Sequence, residues 1–364
     1  MLEVKNVDIL LSTRYLVKSL SFNVGPNDKL AIIGEEGNGK STLLKAIVNA
    51  CDYAQVTGTI DHKNCRIGYL EQSLNEETLE KKVFDYLFET EEVYYEKISE
   101  FYTYSHDLMI DENILKLKMK NLSGGEKVKI CILKLLLEEN DIFILDEPTN
   151  DLDIETLLWL EKFINDTKKP IVYVSHDETL LSNTANMILH LEQIADKTSC
   201  RHTVARSDYD SYVKLRLRSL SKQEQIAKSE KRKFAEKWTR LQRIMNKVEH
   251  QQRTISRSDP HGAQLLKKKM HSLKSQEKRL EKNELTQLPD VEESINFFFG
   301  NVQIPKNKTI LDLYIPKLEV DNKTLATNIE LKITGNAHLC IIGNNGSGKT
   351  TLIKRIYEEL KNRT

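Results

Sequence analysis

Hydrophobic residues along this chain fall into two kinds of segment. Short unbroken apolar runs stand at residues 30–33 (LAII), 142–145 (IFIL) and 172–174 (VYV). Runs of this length, rich in branched side chains, predict strands buried on both faces. The first is followed at once by GEEGNGKS (34–41) and then by TLLKAIV (42–48), an apolar spacing that predicts a helix. The middle of the chain is different. No proline occurs between Ile171 and Asp259, and helix formers such as KSEKRKFAEKWTRLQRIMNKVEHQQR (228–253) dominate. After SDPHG (258–262) the pattern resumes as AQLLKKKMHSLKSQEKRLEK (263–282) and ends before Pro289. Two long helices joined by a short turn are predicted, because Pro260 blocks helix continuation and Gly262 tolerates turn dihedrals. An unbroken helix from Tyr212 to Gln252 would extend about 60 Å, further than a small domain is wide, so much of it should project.

The chain also repeats itself. Shifting it by 309 positions lays KLAIIGEEGNGKSTLLK (29–45) on HLCIIGNNGSGKTTLIK (338–354) and TRYLVKSLSFNV (13–24) on NKTLATNIELKI (322–333). One unit, about 200 residues long, is thus expected twice, the second time cut short at Thr364 one helix beyond its glycine loop. Three parts follow: 1–205, 206–292 and 293–364.

Composition refines this picture. The 364 residues carry 54 Lys and Arg against 54 Asp and Glu, but residues 201–290 hold 23 of those cations and only 11 of the anions. A basic middle therefore joins acidic flanks, which fits a partner rich in phosphate. Solvated helical faces carry such charge too, so composition leaves both readings open. The most apolar stretch, residues 128–137, is interrupted by Lys129 and Lys134, which excludes a membrane-spanning helix there. The opening MLEVKNVDIL lacks the pattern of a secretory signal, and five scattered cysteines without a CxxC argue against a disulfide framework or zinc site. The cytoplasm is the expected compartment.

The glycine loop at 34–41 fits GxxxxGK[ST] in its strand-to-helix context. Gly34, Gly37 and Gly39 let the backbone curl so that its N–H groups, with Asn38 among them, face phosphate oxygens. Lys40 is placed to reach the β- and γ-phosphates, and the Ser41 hydroxyl to bind Mg²⁺, with Thr42 next on the helix. The second copy offers Gly343, Gly346, Ser347, Gly348, Lys349, Thr350 and Thr351 in the same order, Thr350 being the metal-facing hydroxyl. Downstream, the apolar run 142–145 ends in Asp146 and Glu147. At a strand end, one carboxylate can hold the metal while the next turns toward an attacking water, so Asp146 is the metal candidate and Glu147 the base.

Four further motifs carry a resemblance. LSGGE (122–126) is similar to the ABC signature, DEPTNDLD (146–153) to Walker B running into the D-loop, VYVSHD (172–177) to the switch histidine after its strand, and Gln72 of GYLEQ (68–72) stands at the Q-loop position. With the glycine loop they follow the family's order, and the first 200 residues resemble an ABC ATPase. The EPTN form, two nucleotide-binding units in one chain, no membrane domain and a basic helical linker together resemble the ABC-F subfamily, whose members bind ribosomes, act on translation and in some cases protect ribosomes from antibiotics.

The resemblance implies an α/β P-loop domain with a mixed sheet, an antiparallel β part near the N-terminus and a helical lobe around residues 73–135, then a long helical hairpin and a partial second domain. It implies ATP and Mg²⁺ as ligands. Ser123 and Gly125 would contact the γ-phosphate of an ATP held by another domain, Gln72 would sense γ-phosphate and metal, and His176 would bridge to the γ-phosphate or the water held by Glu147. Tyr15 is the candidate to stack on adenine, or else an ordinary strand-end aromatic; its counterpart in the second unit is Thr324. The 49 residues from 73 to 121 leave little room for the extra helical arm found in many members.

ABC sites are composite, each ATP lying between one domain's Walker A and the other's signature. The second unit ends before a signature, Walker B or switch histidine, so slow hydrolysis by the chain alone is expected unless first domains pair head to tail. A ribosomal RNA partner for the hairpin, with the turn at 258–262 as its probe, is the leading expectation. A transporter's ATP-hydrolysing subunit and a non-catalytic ATP-binding remnant are the alternatives.

Overall fold

The computed structural model describes residues 1–194, 199–254, 260–281, 308–320, 323–335, 337, 339–343 and 347–362. In the first part the chain runs β1 (Leu2–Leu11), β2 (Arg14–Val24), β3 (Lys29–Ile33), α1 (Lys40–Ile47), β4 (Gln55–Asp61) and β5 (Ile67–Leu70). Three helices follow, α2 (Glu76–Glu80), α3 (Val83–Leu87) and α4 (Glu91–Asp107), then two short 3₁₀ turns and α5 (Gly124–Leu137). The remainder is β6 (Ile142–Asp146), α6 (Ile154–Asp166), β7 (Ile171–Val174), α7 (Glu178–Thr184), β8 (Met187–Ile194) and β9 (Ser199–Ala205).

Two sheets and one helix share the main core. The larger sheet has the order β5-β6-β7-β3-β8-β9, parallel throughout except for β9. Its central strands are the continuous apolar runs of the sequence, and Leu30, Ile32, Ile144, Val172 and Val174 are fully buried. The smaller sheet, β2-β1-β4, is antiparallel and alternates. Its inward side chains, among them Val4, Val7, Ile9 and Leu20, meet Leu43, Leu44 and Ile47 of α1 in the same cluster. An apolar face on one sheet side and polar residues on the other is what a two-layer antiparallel part requires. The helical lobe spans residues 76–137 and is held by edge-to-face contacts of Phe88 with Tyr94 and Phe101. Its longest helix before the signature is α4, of 17 residues.

Residues 1–210 form one compact unit together with residues 295–364, and residues 211–294 form another. The second contains most of α8 (Tyr209–Thr254), a helix of 46 residues, and α9 (Pro260–Glu281), of 22. Leu241, Val248 and Leu273 are buried where these helices pack, with Ile244, Met245, Leu266 and Met270 around them. The Gln242 side-chain amide donates to Glu277 at 3.1 Å. Residues 255–259, which hold most of the expected turn, lie outside the described residues. The rest of that expectation is corrected: Pro260, His261 and Gly262 open α9 rather than forming the turn. Proline is well accommodated there, since a first-turn N–H has no intrahelical acceptor to lose.

The second glycine-loop unit consists of the antiparallel pair β10 (Thr309–Val320) and β11 (Lys323–Thr334) and the helix α10 (Lys349–Asn362). A further expectation is corrected here. The run Leu339, Cys340, Ile341, Ile342, equivalent to β3, forms no strand, and Leu339 and Ile342 are 54% and 71% exposed. In the first unit the same pattern is a strand because β7 and β8 pair with it on both sides. An apolar run without ladder partners leaves its backbone donors and acceptors to water and gains nothing from alignment.

Candidate nucleotide-binding site

Every sequence motif of the first unit except the signature sits at one edge of the large sheet. The parallel register pairs Ile32 with Val174, Leu145 with Tyr173 and Leu70 with Leu145, so the carboxyl ends of β3, β5, β6 and β7 lie together. Gly34, Gln72, Glu147 and His176 follow those ends within two residues, and Asp146 closes β6 itself. Ligand sites of parallel α/β sheets form at that edge, where loops leave the strands and helix N-termini face the opening.

The loop from β3 to α1 is shaped by its glycines. Gly34, Gly37 and Gly39 have φ of 146°, 78° and 90°. A Cβ on Gly34 would lie 2.2 Å from the Leu191 carbonyl oxygen of β8, and one on Gly39 would lie 2.9 Å from Leu16 Cβ. Gly34→Ala therefore meets both a disfavoured dihedral and immovable backbone. It is expected to cost at least about 2 kcal/mol of stability, read as a lower midpoint in thermal or urea unfolding. Gly39 is also the N-cap of α1, and no side chain caps that helix, so its first N–H groups remain available to an anion.

Lys40 is buried, and its Nζ donates to the carbonyls of Gly34 at 2.6 Å and Glu35 at 2.9 Å, holding the ammonium across the loop. Burial pulls its pKa below the usual lysine value, against the charges of Glu147, Glu36 and Asp146, which favour the cation. The Ser41 hydroxyl donates to Asp146 Oδ1 at 3.0 Å. Asp146 is 2% exposed, and its Oδ2 has no hydrogen-bond partner. Burial pushes the Asp146 pKa up, opposed by the Ser41 hydrogen bond and by Lys45 and Lys40. A buried carboxylate oxygen left unpaired beside a serine hydroxyl is a donor set that fits Mg²⁺, a hard cation taking carboxylate, hydroxyl and phosphate oxygens.

Glu147 follows with φ of 52°, a left-handed conformation that turns its side chain away from the strand's alternation. Its Oε1 lies 3.2 Å from His176 Nε2. The Glu147 N–H donates to Val174 O at 3.1 Å, so β7 fixes both partners. Burial raises the Glu147 pKa; His176 and Lys40 act against that and Asp146 adds to it. The pair can orient a water and accept its proton.

The remaining sequence candidates divide. Gln72 is exposed just beyond β5. Thr42 lies on α1 and accepts from the Tyr53 hydroxyl at 3.4 Å. The Asn38 side chain is turned inward, its amide donating to Leu191 O at 3.0 Å, so it secures the loop against β8 and is not aimed at a ligand. Tyr15 is 42% exposed with Lys18 Nζ 5.5 Å from its ring centroid, and its neighbours Arg14 and Leu16 both touch the loop, at Gly37 O and Gly39. Ser123 and Gly125 start α5 through a capping box: Glu126 N–H donates to Ser123 Oγ at 3.3 Å and Ser123 N–H to Glu126 Oε2 at 2.8 Å.

In the second unit the described residues repeat two features of the loop. Lys349 Nζ donates to Gly343 O at 2.6 Å, Gly348 has φ of 91°, and its Cβ would lie 2.8 Å from Leu325, the counterpart of Leu16. Ser347, Thr350 and Thr351 flank this lysine in sequence, and Gly346 lies outside the described residues.

Residues 17–150 match the family of ABC transporters. The chain is 28% identical to the ATP-binding protein Uup of Buchnera aphidicola subsp. Acyrthosiphon pisum over 379 residues, covering 99% of this chain and 57% of Uup. It is 28% identical to the energy-dependent translational throttle protein EttA of Escherichia coli K12, covering 94% of this chain and 63% of EttA. Residues 17–150 thus form an ATP-binding-cassette domain, and the similarity to Uup and EttA runs along nearly the whole of this chain. It is also 32% identical to YfmR of Bacillus subtilis over 243 residues, 65% of this chain and 38% of that one. The chain thus spans little more than half the length of Uup and about three-fifths that of EttA.

Three further contacts brace this cassette. Arg14 donates to Gly37 O at 3.2 Å and to Gln193 Oε1 at 3.3 Å, bracing the loop against β8. Asp151 lies over the first turn of the signature helix, its Oδ2 2.5 Å from where a Gly124 Cβ would be. Lys129 and Asp153, both buried, pair at 3.4 Å and join α5 to the N-cap of α6. Asp151 and Asp153 lie in the DEPTNDLD segment singled out in the sequence, whereas Arg14 and Lys129 carry no motif signal.

Proposed function

We propose that this chain binds ATP with Mg²⁺ at the loop of residues 34–42, hydrolyses it when a second domain supplies a signature motif, and acts on the ribosome through its basic helical hairpin. The observation that carries the ATP reading is the convergence of Lys40, Ser41, Asp146, Glu147 and His176 at one sheet edge. Backbone N–H groups of the loop and Lys40 would hold the phosphates, Ser41 and Asp146 the metal. The cation would neutralise charge building on the phosphate oxygens, while Glu147, held by His176, takes the proton of the attacking water. Ser123 and Gly125, at the amino end of a capped helix, would meet the γ-phosphate of an ATP carried by another domain, so hydrolysis rises with pairing of domains head to tail.

The ribosome reading rests on the hairpin's charge and on the similarity to EttA, a translational throttle protein. One face of α8 presents Arg232, Arg240, Arg243 and Lys247 with Glu236 as its carboxylate, and Lys267, Lys268 and Lys269 are exposed on α9. Such stripes neutralise backbone phosphates of RNA in a salt-dependent way. Trp238 is stacked on Phe234 with ring centroids 6.0 Å apart, which leaves less of it for bases than its sequence position suggests. Among the described residues no helix is long and apolar enough to cross a membrane. Reversing Lys267, Lys268 and Lys269 to Glu is expected to weaken co-sedimentation with ribosomes at least tenfold at moderate salt, with a shallower salt dependence. Unchanged pelleting with and without ATP would refute the hairpin's role. Growth of cells carrying the chain, with and without ribosome-targeting antibiotics, separates drug protection from action on ordinary translation in the cytoplasm.

A further inference from the structure

On the strand next to the one that carries Asp146 lies a buried hydroxyl that the reading above does not use. Tyr69 is on β5, the strand next to β6, and pairs in register with Ile144. Side chains two apart on a strand share a face, so Tyr69, Ile144 and Asp146 emerge on the same side of the sheet. That side is covered by α1: the Tyr69 ring packs against the cluster that contains Ile144, Leu43 and Leu44. Its hydroxyl is buried and has no hydrogen-bond partner, and the same is true of Asp146 Oδ2. Burial raises the Tyr69 pKa, with the Asp146 charge the next largest cause, which places the phenol within the carboxylate's field. The two atoms do not bond each other.

A phenolic O–H kept from water and unpaired costs about 1–3 kcal/mol, and a lone carboxylate oxygen costs more. Two such atoms on one face of adjacent strands are both engaged by one group that donates to the phenol oxygen and attracts the carboxylate. A hydrated divalent cation does this: its charge faces Asp146, and one of its waters, made a stronger donor by the metal, donates to the Tyr69 hydroxyl oxygen. Mg²⁺ keeps several waters when bound, so such a donor is available. We propose that Tyr69 is a positioning residue for the metal, its hydroxyl oxygen accepting from a water of the Mg²⁺ held by Ser41 and Asp146. The inference rests on the ATP reading of the site.

Tyr69→Phe tests it. Binding of a fluorescent ATP analogue is followed by anisotropy in EDTA and across a Mg²⁺ titration, with Mn²⁺ binding read by electron paramagnetic resonance. The metal midpoint should rise about tenfold, as for other groups that orient metal-bound ligands, while affinity in EDTA stays unchanged. The metal-free protein should unfold at the same temperature or higher, because the substitution removes an unsatisfied buried hydroxyl. A lower unfolding temperature with an unmoved metal midpoint would make the hydroxyl a structural group and overturn the proposal. Should the unaltered chain bind no nucleotide, or respond to no metal, the site's reading fails and this inference with it. A metal response that Tyr69→Phe leaves intact defeats the inference alone.

Discussion

Replacing Glu147 by Gln should lower ATP turnover by about 10²- to 10⁴-fold while nucleotide affinity changes by no more than a few-fold. General-base catalysis contributes about that much, and the amide keeps the shape of the carboxylate while losing its basicity. The structure makes the effect specific. Glu147 is 8% exposed, turned by its left-handed backbone toward His176, and linked to it at 3.2 Å. Because burial raises its pKa, turnover should fall with decreasing pH earlier than an ordinary carboxylate would dictate, and the Gln variant should lose that limb of the profile. The assay is steady-state phosphate release across protein concentration. Proposed pairing of domains predicts specific activity that rises with concentration. Vigorous release independent of concentration, abolished by Glu147→Gln, would show that one chain completes its own site and would refute the composite reading.

Lys40→Ala should weaken ATP binding by about 10²- to 10³-fold, the size expected when two hydrogen bonds from a cation to phosphate oxygens are lost. Folding should be little affected. The ammonium's two bonds to Gly34 and Glu35 carbonyls are lost, but so is the burden of burying a charge, which already lowers its pKa. Equilibrium binding of a fluorescent nucleotide, with an unfolding curve on the same sample, separates the two effects. Lys349→Ala is the informative counterpart. Its local geometry matches that of Lys40 to the same 2.6 Å bond, yet no strand of the large-sheet kind supports the loop before it. Residual binding in Lys40→Ala that disappears in the double variant would assign nucleotide binding to the second loop. A Lys40→Ala chain that binds as well as the original would remove residues 34–42 from the phosphate site.

Much of this was readable in one dimension because the chemistry lies in contiguous motifs. A glycine loop needs its residues adjacent, since it is backbone curvature that aims the N–H groups, and an offset of 309 positions exposes the duplication directly. Apolar runs at 30–33, 142–145 and 172–174 announce strands buried on both faces for the same local reason. Spacing misled where a local rule has two outcomes. Proline forbids a helix interior but suits a helix start, and Pro260 opens α9. Asn38, inside the loop motif, spends its side chain on the Leu191 carbonyl 153 positions away.

What the sequence determined alone is therefore the set of chemical groups, their local conformations and the family they belong to, because each is written within a few neighbouring residues. Tertiary structure decided which groups meet. Ser41 with Asp146, Glu147 with His176 and Tyr69 on the sheet face of Asp146 depend on strand order β5-β6-β7-β3, and Asp151 over Gly124 on how the loop after β6 meets α5. The same pattern of hydrophobic residues became a buried strand at 29–33 and an exposed segment at 339–342. A strand exists only when neighbours accept its backbone hydrogen bonds, and those neighbours lie elsewhere in the chain.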